Sequence, residues 1–188
     1  MPEVQRVTIV GGGVIGCFLA YPLALEGVPV TLLERDDVGS GATGVSAGNV
    51  QPGVMGGIVD AHGVLGALEA QSLHLHRTFL PSIKEDSGLD PLDHEVQYLY
   101  AALDEQEVAE TRQFTAALQE HRLRVEWING PAARALEPRL APHILGGALH
   151  QDCFQMDAYR FVTALSKAAQ RHGAQLQRGA VVGLQRTG

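Results

Sequence analysis

Gly11, Gly13 and Gly16 stand in the spacing GxGxxG within VTIVGGGVIG, residues 7–16, and Glu34 follows 18 positions after Gly16. Together these residues can hold a dinucleotide. The first glycine permits a tight turn, the second lets the backbone come up to a pyrophosphate, and the third lets a helix pack close against a strand. A helix N-terminus offers free N–H groups and the positive end of a dipole to an anion. At the end of a second strand the Glu34 carboxylate can accept hydrogen bonds from an adenosine ribose; it would repel a 2′-phosphate, which disfavours NADP. Arg35 points to solvent or stacks near the adenine in this reading.

The elements needed to place these residues are legible around them. Val7–Val10 reads as a short strand buried on both faces. A helix is expected from Val14 to about Glu26, with Ile15, Leu19, Leu23 and Ala24 as its apolar stripe and a bend near Phe18 to Pro22. Gly27 stops it, and Val28–Leu33 forms a second strand closed by Glu34. The whole fits the length of a βαβ unit. Between Gly39 and Gly66 lie nine of the chain's 22 glycines. This stretch, with Ser40, Thr43 and Ser46, reads as an ordered loop that wraps a long ligand.

Three segments, VTIVGGGVIG, LLERDDVGSGATG and SAGNVQPG, resemble the amino-terminal part of the flavin-dependent amino-acid oxidase and dehydrogenase family, which includes D-amino-acid oxidases and dehydrogenases, glycine oxidase and sarcosine oxidase. Ala47-Gly48-Asn49 is most like the D-amino-acid dehydrogenase branch. The resemblance implies an α/β fold: an FAD-binding Rossmann-like domain, incomplete, with part of an inserted α+β substrate domain. It implies FAD as cofactor, with Gly11, Gly13 and Gly16 at the pyrophosphate, Glu34 at the ribose and Arg35 near the adenine. Gly41, Ala42, Thr43, Ala47 and Gly48 would line the pyrophosphate and approach the flavin. A backbone contact to adenine would come from Val181, with Val182 the alternative. The implied reaction is oxidation of a C–N bond in an amino acid or related amine, by hydride transfer to flavin N5. The imine then hydrolyses to an oxo acid and ammonia, and oxygen or a quinone takes the electrons. The residues themselves leave open an NAD-dependent Rossmann dehydrogenase and a non-catalytic nucleotide-binding chain.

Further along, residues 62–88 read as mostly helical and broken or kinked at Pro81, Val96–Ala101 as a strand, and Asp104 as the cap of a helix with Glu107 three residues on. Val125–Ile128 reads as a strand and Pro131 opens a short helix. A strand at Gly147–His150 and a helix from Ala158 to His172, capped by Asp157, follow. Strands at Ala174–Leu176 and Ala180–Leu184 end the chain. Residues 1–62 and 151–188 are thus expected to form the FAD-binding domain, 89–150 part of the substrate domain, and 63–88 a helical connection. Family members are much longer, so the sequence is expected to be an amino-terminal piece that shows no turnover alone. No catalytic residue is assigned: Asp157 is better explained as a cap, and Cys17 as a packing residue. His74 and His76 fall on different helix faces, so no metal is expected.

Composition narrows the remaining classes. At 45% hydrophobic and 19% charged residues the chain is globular and not disordered. A net charge of −7 argues against nucleic acid, which needs clustered Lys and Arg. No charge occurs from Val7 to Leu25, but three glycines split that run, so it reads neither as a signal peptide nor as a membrane span. The two cysteines, Cys17 and Cys153, form no disulfide framework, and a cytoplasmic location is expected.

Overall fold

The computed structural model describes residues 6–52 and 64–186. The chain divides into two compact units: residues 1–48, 79–93 and 156–188 form the first, and 49–78 and 94–155 the second. The 63–88 segment, expected as a connection, is largely a helix that contributes to both units.

The first unit is built on three parallel strands in the order β1 (Val7–Val10), β2 (Val30–Glu34), β7 (Gln175–Arg178). Val7 pairs with Val30, Val10 with Leu33 and Glu34 with Arg178. Helix α1 (Val14–Leu25) joins β1 to β2, and α5 (Ala158–Arg171) precedes β7. Strand β1 departs from the expected double burial: Thr8 and Val10 are exposed, because β1 lies at the edge of this sheet. The buried face of α1 also differs from the expected stripe. It consists of Gly16, Cys17, Ala20, Tyr21 and Ala24, while Ile15 and Leu19 are exposed. Small residues win because α1 packs on α5, whose own buried face includes Ala164, Ala168 and Ala169; small side chains let two helix backbones approach closely. Pro22 leaves α1 unbroken, since the next turn still closes through the Glu26 N–H to the Pro22 carbonyl.

Helix α2 (Val64–Ser87) runs through Pro81 without a break. Leu73 and Ile83, buried on either side of the proline, hold both halves in place, and packing of that kind overrides local propensity. At its end Asp86 gathers the Tyr21 hydroxyl (2.8 Å) and His172 Nε2 (2.7 Å), joining three helices of the first unit.

The second unit is an antiparallel sheet centred on β6 (Gly146–Gln155), far longer than the expected Gly147–His150. It pairs with β4 (His94–Ala102) along one side, and with β3 (Asn49–Val50) and β5 (Val125–Asn129) along the other. Helix α3 (Glu105–Glu120) starts as expected: Asp104 Oδ1 accepts from the Glu107 N–H (2.9 Å), and the Glu107 carboxylate accepts from the Leu103 N–H (2.6 Å). Helix α4 (Gly130–Leu136) carries Pro131 in its first turn and Asn129 as its cap. Leu73, Phe114, Ala117, Leu118, Leu123, Val125 and Ala148 make the core.

At the other end, Asp157 caps α5 through Arg160 N–H (2.9 Å). Strand β7 pairs parallel to β2 as expected. The strand expected at Ala180–Leu184 is not formed: residues 179–186 are irregular, and Val182 and Leu184 are almost wholly exposed. No described strand lies alongside to satisfy that backbone, and without a ladder partner a strand does not form.

Candidate nucleotide site

The first unit shapes its site from backbone. Gly11 takes φ +105°, a left-handed value that turns the chain out of β1. Gly16 brings α1 down onto that turn: a Cβ there would stand 2.0 Å from the Gly11 carbonyl oxygen and 3.3 Å from Ile9 Cγ2. Gly13 caps α1 without any side chain. The first helical amide, Val14 N–H, donates to Thr43 Oγ1 at 3.1 Å. The GxGxxG spacing does not single out Gly12, yet it matters as much. Its N–H donates to Glu34 Oε2 at 2.6 Å, and a Cβ would press to 3.1 Å from Glu34 Cβ. The run of three consecutive glycines, with Gly12 in the middle, was the available signal.

Glu34 therefore does more than end β2. One oxygen takes the Gly12 amide and the other the Asp36 amide (2.9 Å). These two backbone bonds, the Asp36 one foremost, hold its carboxyl below the usual range, so the group is an anion at neutral pH. Arg35 pairs with Asp36 (3.1 Å), and its side chain is largely exposed.

Residues 35–46 form a chain of turns, pinned by Gly39 N–H to Gly12 O (3.0 Å), Gly44 N–H to Gly41 O (3.2 Å) and Ser46 N–H to Thr43 O (3.2 Å). A cleft of about 350 Å³ opens between these turns and the start of α1. It is lined by Gly13, Glu34, Arg35, Asp36, Gly39, Ser40, Gly41, Ala42 and Thr43. A second hollow of about 220 Å³ shares Glu34 and Asp36 and extends to Leu176, Gln177 and Arg178. Of the residues expected at the cofactor, Gly13, Glu34, Arg35, Gly41, Ala42 and Thr43 meet in the cleft. Gly11 and Gly16 do not line it, but they carry the turn that forms its wall. Ala47 and Gly48 lie beyond it. Gly48, at φ +71°, packs where a Cβ would be 1.8 Å from the Met156 carbonyl oxygen. Val181 sits in the irregular chain after β7, 40% exposed.

Cys17 is enclosed at the base of α1, with its Sγ 3.6 Å from the Gly12 carbonyl. Burial, with the Glu34 charge adding to it, pushes the thiol up to about 12, which leaves it protonated and unreactive. The site thus contains no activated nucleophile at Cys17. It offers a helix N-terminus, small side chains, hydroxyls, the ionised Glu34 carboxylate and the Arg35–Asp36 pair. That set fits the ADP half of a dinucleotide: amides and dipole for the phosphates, carboxylate for a ribose. At Gly41 a Cβ would meet nothing within 4 Å, so the cleft is open at that wall.

Comparison with known proteins agrees with this geometry. Residues 6–188 match the family model described as FAD dependent oxidoreductase. The anaerobic glycerol-3-phosphate dehydrogenase of Escherichia coli (strain K12) contains a polypeptide 30% identical over 168 residues, 89% of this chain and 29% of that polypeptide. Glycine oxidase of Geobacillus kaustophilus is 30% identical over 171 residues, 89% of this chain and 44% of that protein. Its crystal structure superposes with a TM-score of 0.79 at 27% identity, over 92% of this chain and 46% of that one. L-α-glycerophosphate oxidase from Mycoplasma pneumoniae, solved with FAD bound, shares the fold with a TM-score of 0.78 at 23% identity, over 94% of this chain and 45% of that one. The chain spans less than half the length of these relatives. Its fold is the FAD-binding Rossmann-like α/β fold, and the chain belongs to the FAD-dependent oxidoreductase family, whose cofactor is FAD.

Proposed function

We propose that this chain supplies the FAD-holding part of an oxidoreductase that oxidises the C–N bond of an amino acid or related amine. The cleft between α1 and the 35–46 turns is the observation that carries the reading. In it, Gly13 and the start of α1 receive the pyrophosphate, Gly41, Ala42 and Thr43 close over it, and Glu34 holds the ribose. Arg35 stands at the adenine end, Ala47 and Gly48 lead toward the flavin, and Val181 offers a backbone contact to adenine. When bound, FAD supplies the two-electron oxidation, and oxygen or a quinone takes the electrons onward. The first unit holds the cofactor, and the sheet of the second forms part of the substrate side. Free, buried Cys17 and Cys153 suit a reducing compartment such as the cytoplasm. Among the described residues no helix is long and apolar enough to cross a membrane.

Support for an amine comes from the glycine oxidase relatives, and from Ala47-Gly48-Asn49. A second reading, oxidation of glycerol 3-phosphate, is favoured by the E. coli relative. The experiment is a titration of the purified protein with FAD, then anaerobic addition of glycine, D- and L-amino acids, or glycerol 3-phosphate. Loss of the flavin's visible absorption is the readout. FAD binding is expected of this chain alone, and bleaching by an amino acid of the oxidoreductase whose FAD-holding part it supplies. Bleaching by glycerol 3-phosphate alone would overturn the substrate class, and NAD binding in place of FAD would overturn the cofactor assignment. FAD binding with no bleaching in that oxidoreductase would leave a non-catalytic nucleotide holder.

A further inference from the structure

His150 sets the second unit apart. Its side chain is completely buried, and among the described residues neither Nδ1 nor Nε2 meets a hydrogen-bond partner. It stands on β6, the strand that pairs with each of the other three strands of its sheet. Tyr98 of β4 lies opposite on one side and Val125 of β5 on the other. Directly paired residues share a face, so His150 projects to the side that carries Val125 and Ala148 with the core residues Leu73, Phe114 and Leu118. An edge strand can fray to hydrate a side chain. The central strand cannot, without opening its pairs on both sides.

The surrounding charges do not rescue the imidazole. Asp152, two residues along β6, is the anion that acts on it. That carboxylate is already taken by the Arg77 guanidinium (2.6 Å) and by Arg124 Nε (2.8 Å) and its backbone N–H. From β4 comes Tyr98, and from α2 come Glu69, which acts on Tyr100, and Arg77, 5.1 Å from the Phe154 ring centroid. The buried residues of α3 are Thr111, Phe114, Thr115, Ala117 and Leu118, none of them charged. The first unit differs. Its one histidine, His172, has Asp86 Oδ2 2.7 Å away, so a charged imidazole there meets a carboxylate.

We propose that His150 is an acid-sensitive switch: a protonated imidazole and an intact β6 exclude each other, so acidification opens the second unit while the first stays folded. Burial draws His150 below its ordinary value of 6.5. For a base lowered by folding, the stability is fully present above the unfolded value. Below it the unfolded chain binds a proton that the folded unit refuses, and stability falls until the folded value is reached. The unfolding constant of this unit then rises by up to about tenfold per pH unit.

Trp127, the chain's one tryptophan, reports on this unit, because it pairs with Ala148 of β6. Urea unfolding of the purified protein, followed by Trp127 fluorescence from about pH 8 to about pH 5, spans the imidazole range. A falling midpoint is expected in the natural chain, and a clearly flatter one in both His150→Leu and His150→Gln. His76, also lowered by burial, contributes equally to all three chains and drops out of the comparison. Equal pH slopes in the three chains would overturn the proposal. Should neither variant fold, an NMR titration of His150 in the natural chain decides. An imidazole that stays neutral until the second unit unfolds supports the switch, and one that titrates near 6.5 within folded protein sinks it.

Discussion

Glu34 in the first unit and Asp152 in the second are both carboxylates held below their ordinary range, yet they do opposite work. Glu34 is held by two backbone amides at the lip of an open cleft. Asp152 is 3% exposed and, against the penalty of burial, is held down to about 2 by the Arg124 amide and the Arg77 and Arg124 guanidinium groups. Backbone amides keep Glu34 ionised without filling all its lone pairs, so it can still accept from a ligand. Asp152 is enclosed, and its partners are two guanidinium groups and the Arg124 amide, so its bonds fasten α2 and the β5 approach to β6. The same residue chemistry leaves an open acceptor in one unit and makes a bolt in the other.

The largest test bears on the turn that shapes the cleft. Gly16→Ala forces a Cβ to within 2.0 Å of a backbone oxygen. Backbone gives less readily than a side chain, so about 3 kcal/mol is expected, at the upper end for overpacking. FAD affinity should fall roughly 100-fold with it. An FAD titration and urea unfolding check both, and normal binding would mean that α1 can shift away from β1 freely.

Asp152→Asn comes next. It keeps an acceptor for the Arg124 amide but removes the charge. A loss of about 2 kcal/mol is expected, reduced from the buried-pair range because Arg77 and Arg124 are 39% and 56% exposed. Acid should act in the same direction. With its folded value near 2 and its ordinary value 3.8, the contribution of Asp152 is full above about pH 4 and disappears as pH falls through about 2. Trp127 fluorescence across that range should show the loss in the natural chain and its absence in the variant.

Glu34→Gln has the smallest expected effect and sharpens the contrast most. FAD affinity should drop about tenfold, while the unfolding midpoint stays within about 0.5 kcal/mol of the natural chain. A large stability loss with unchanged FAD affinity would make Glu34 a bolt like Asp152.

Much of the first unit was legible because its signals are local. A turn that demands glycine, a strand that ends in an acid and an Asp that caps a helix each act over a few residues. Gly11, Gly13, Glu34 and Asp157 could therefore be read in order along the chain. The stripe on α1 could not. Hydropathy favours Ile15 and Leu19, but close packing on α5, a helix far along the sequence, selects Gly16, Cys17 and Ala20. The length of β6 was hidden for the same reason, since its partners come from β3, β4 and β5. Likewise Asp152 and Arg77 meet across 75 positions, and no spacing rule announces such a pair.

By itself the sequence determined the chemistry of the nucleotide cleft: which residues lack side chains, where a helix begins, and where a carboxylate must stand. These follow from backbone sterics and hydrogen bonding within one βαβ unit. Only the tertiary structure decided that Gly12 shares the Glu34 carboxylate with Asp36, that Pro81 rides inside an unbroken helix, and that His150 is sealed without a partner among the described residues. Each depends on which distant surfaces close over a residue, and burial, unlike a turn, is a property of the whole fold.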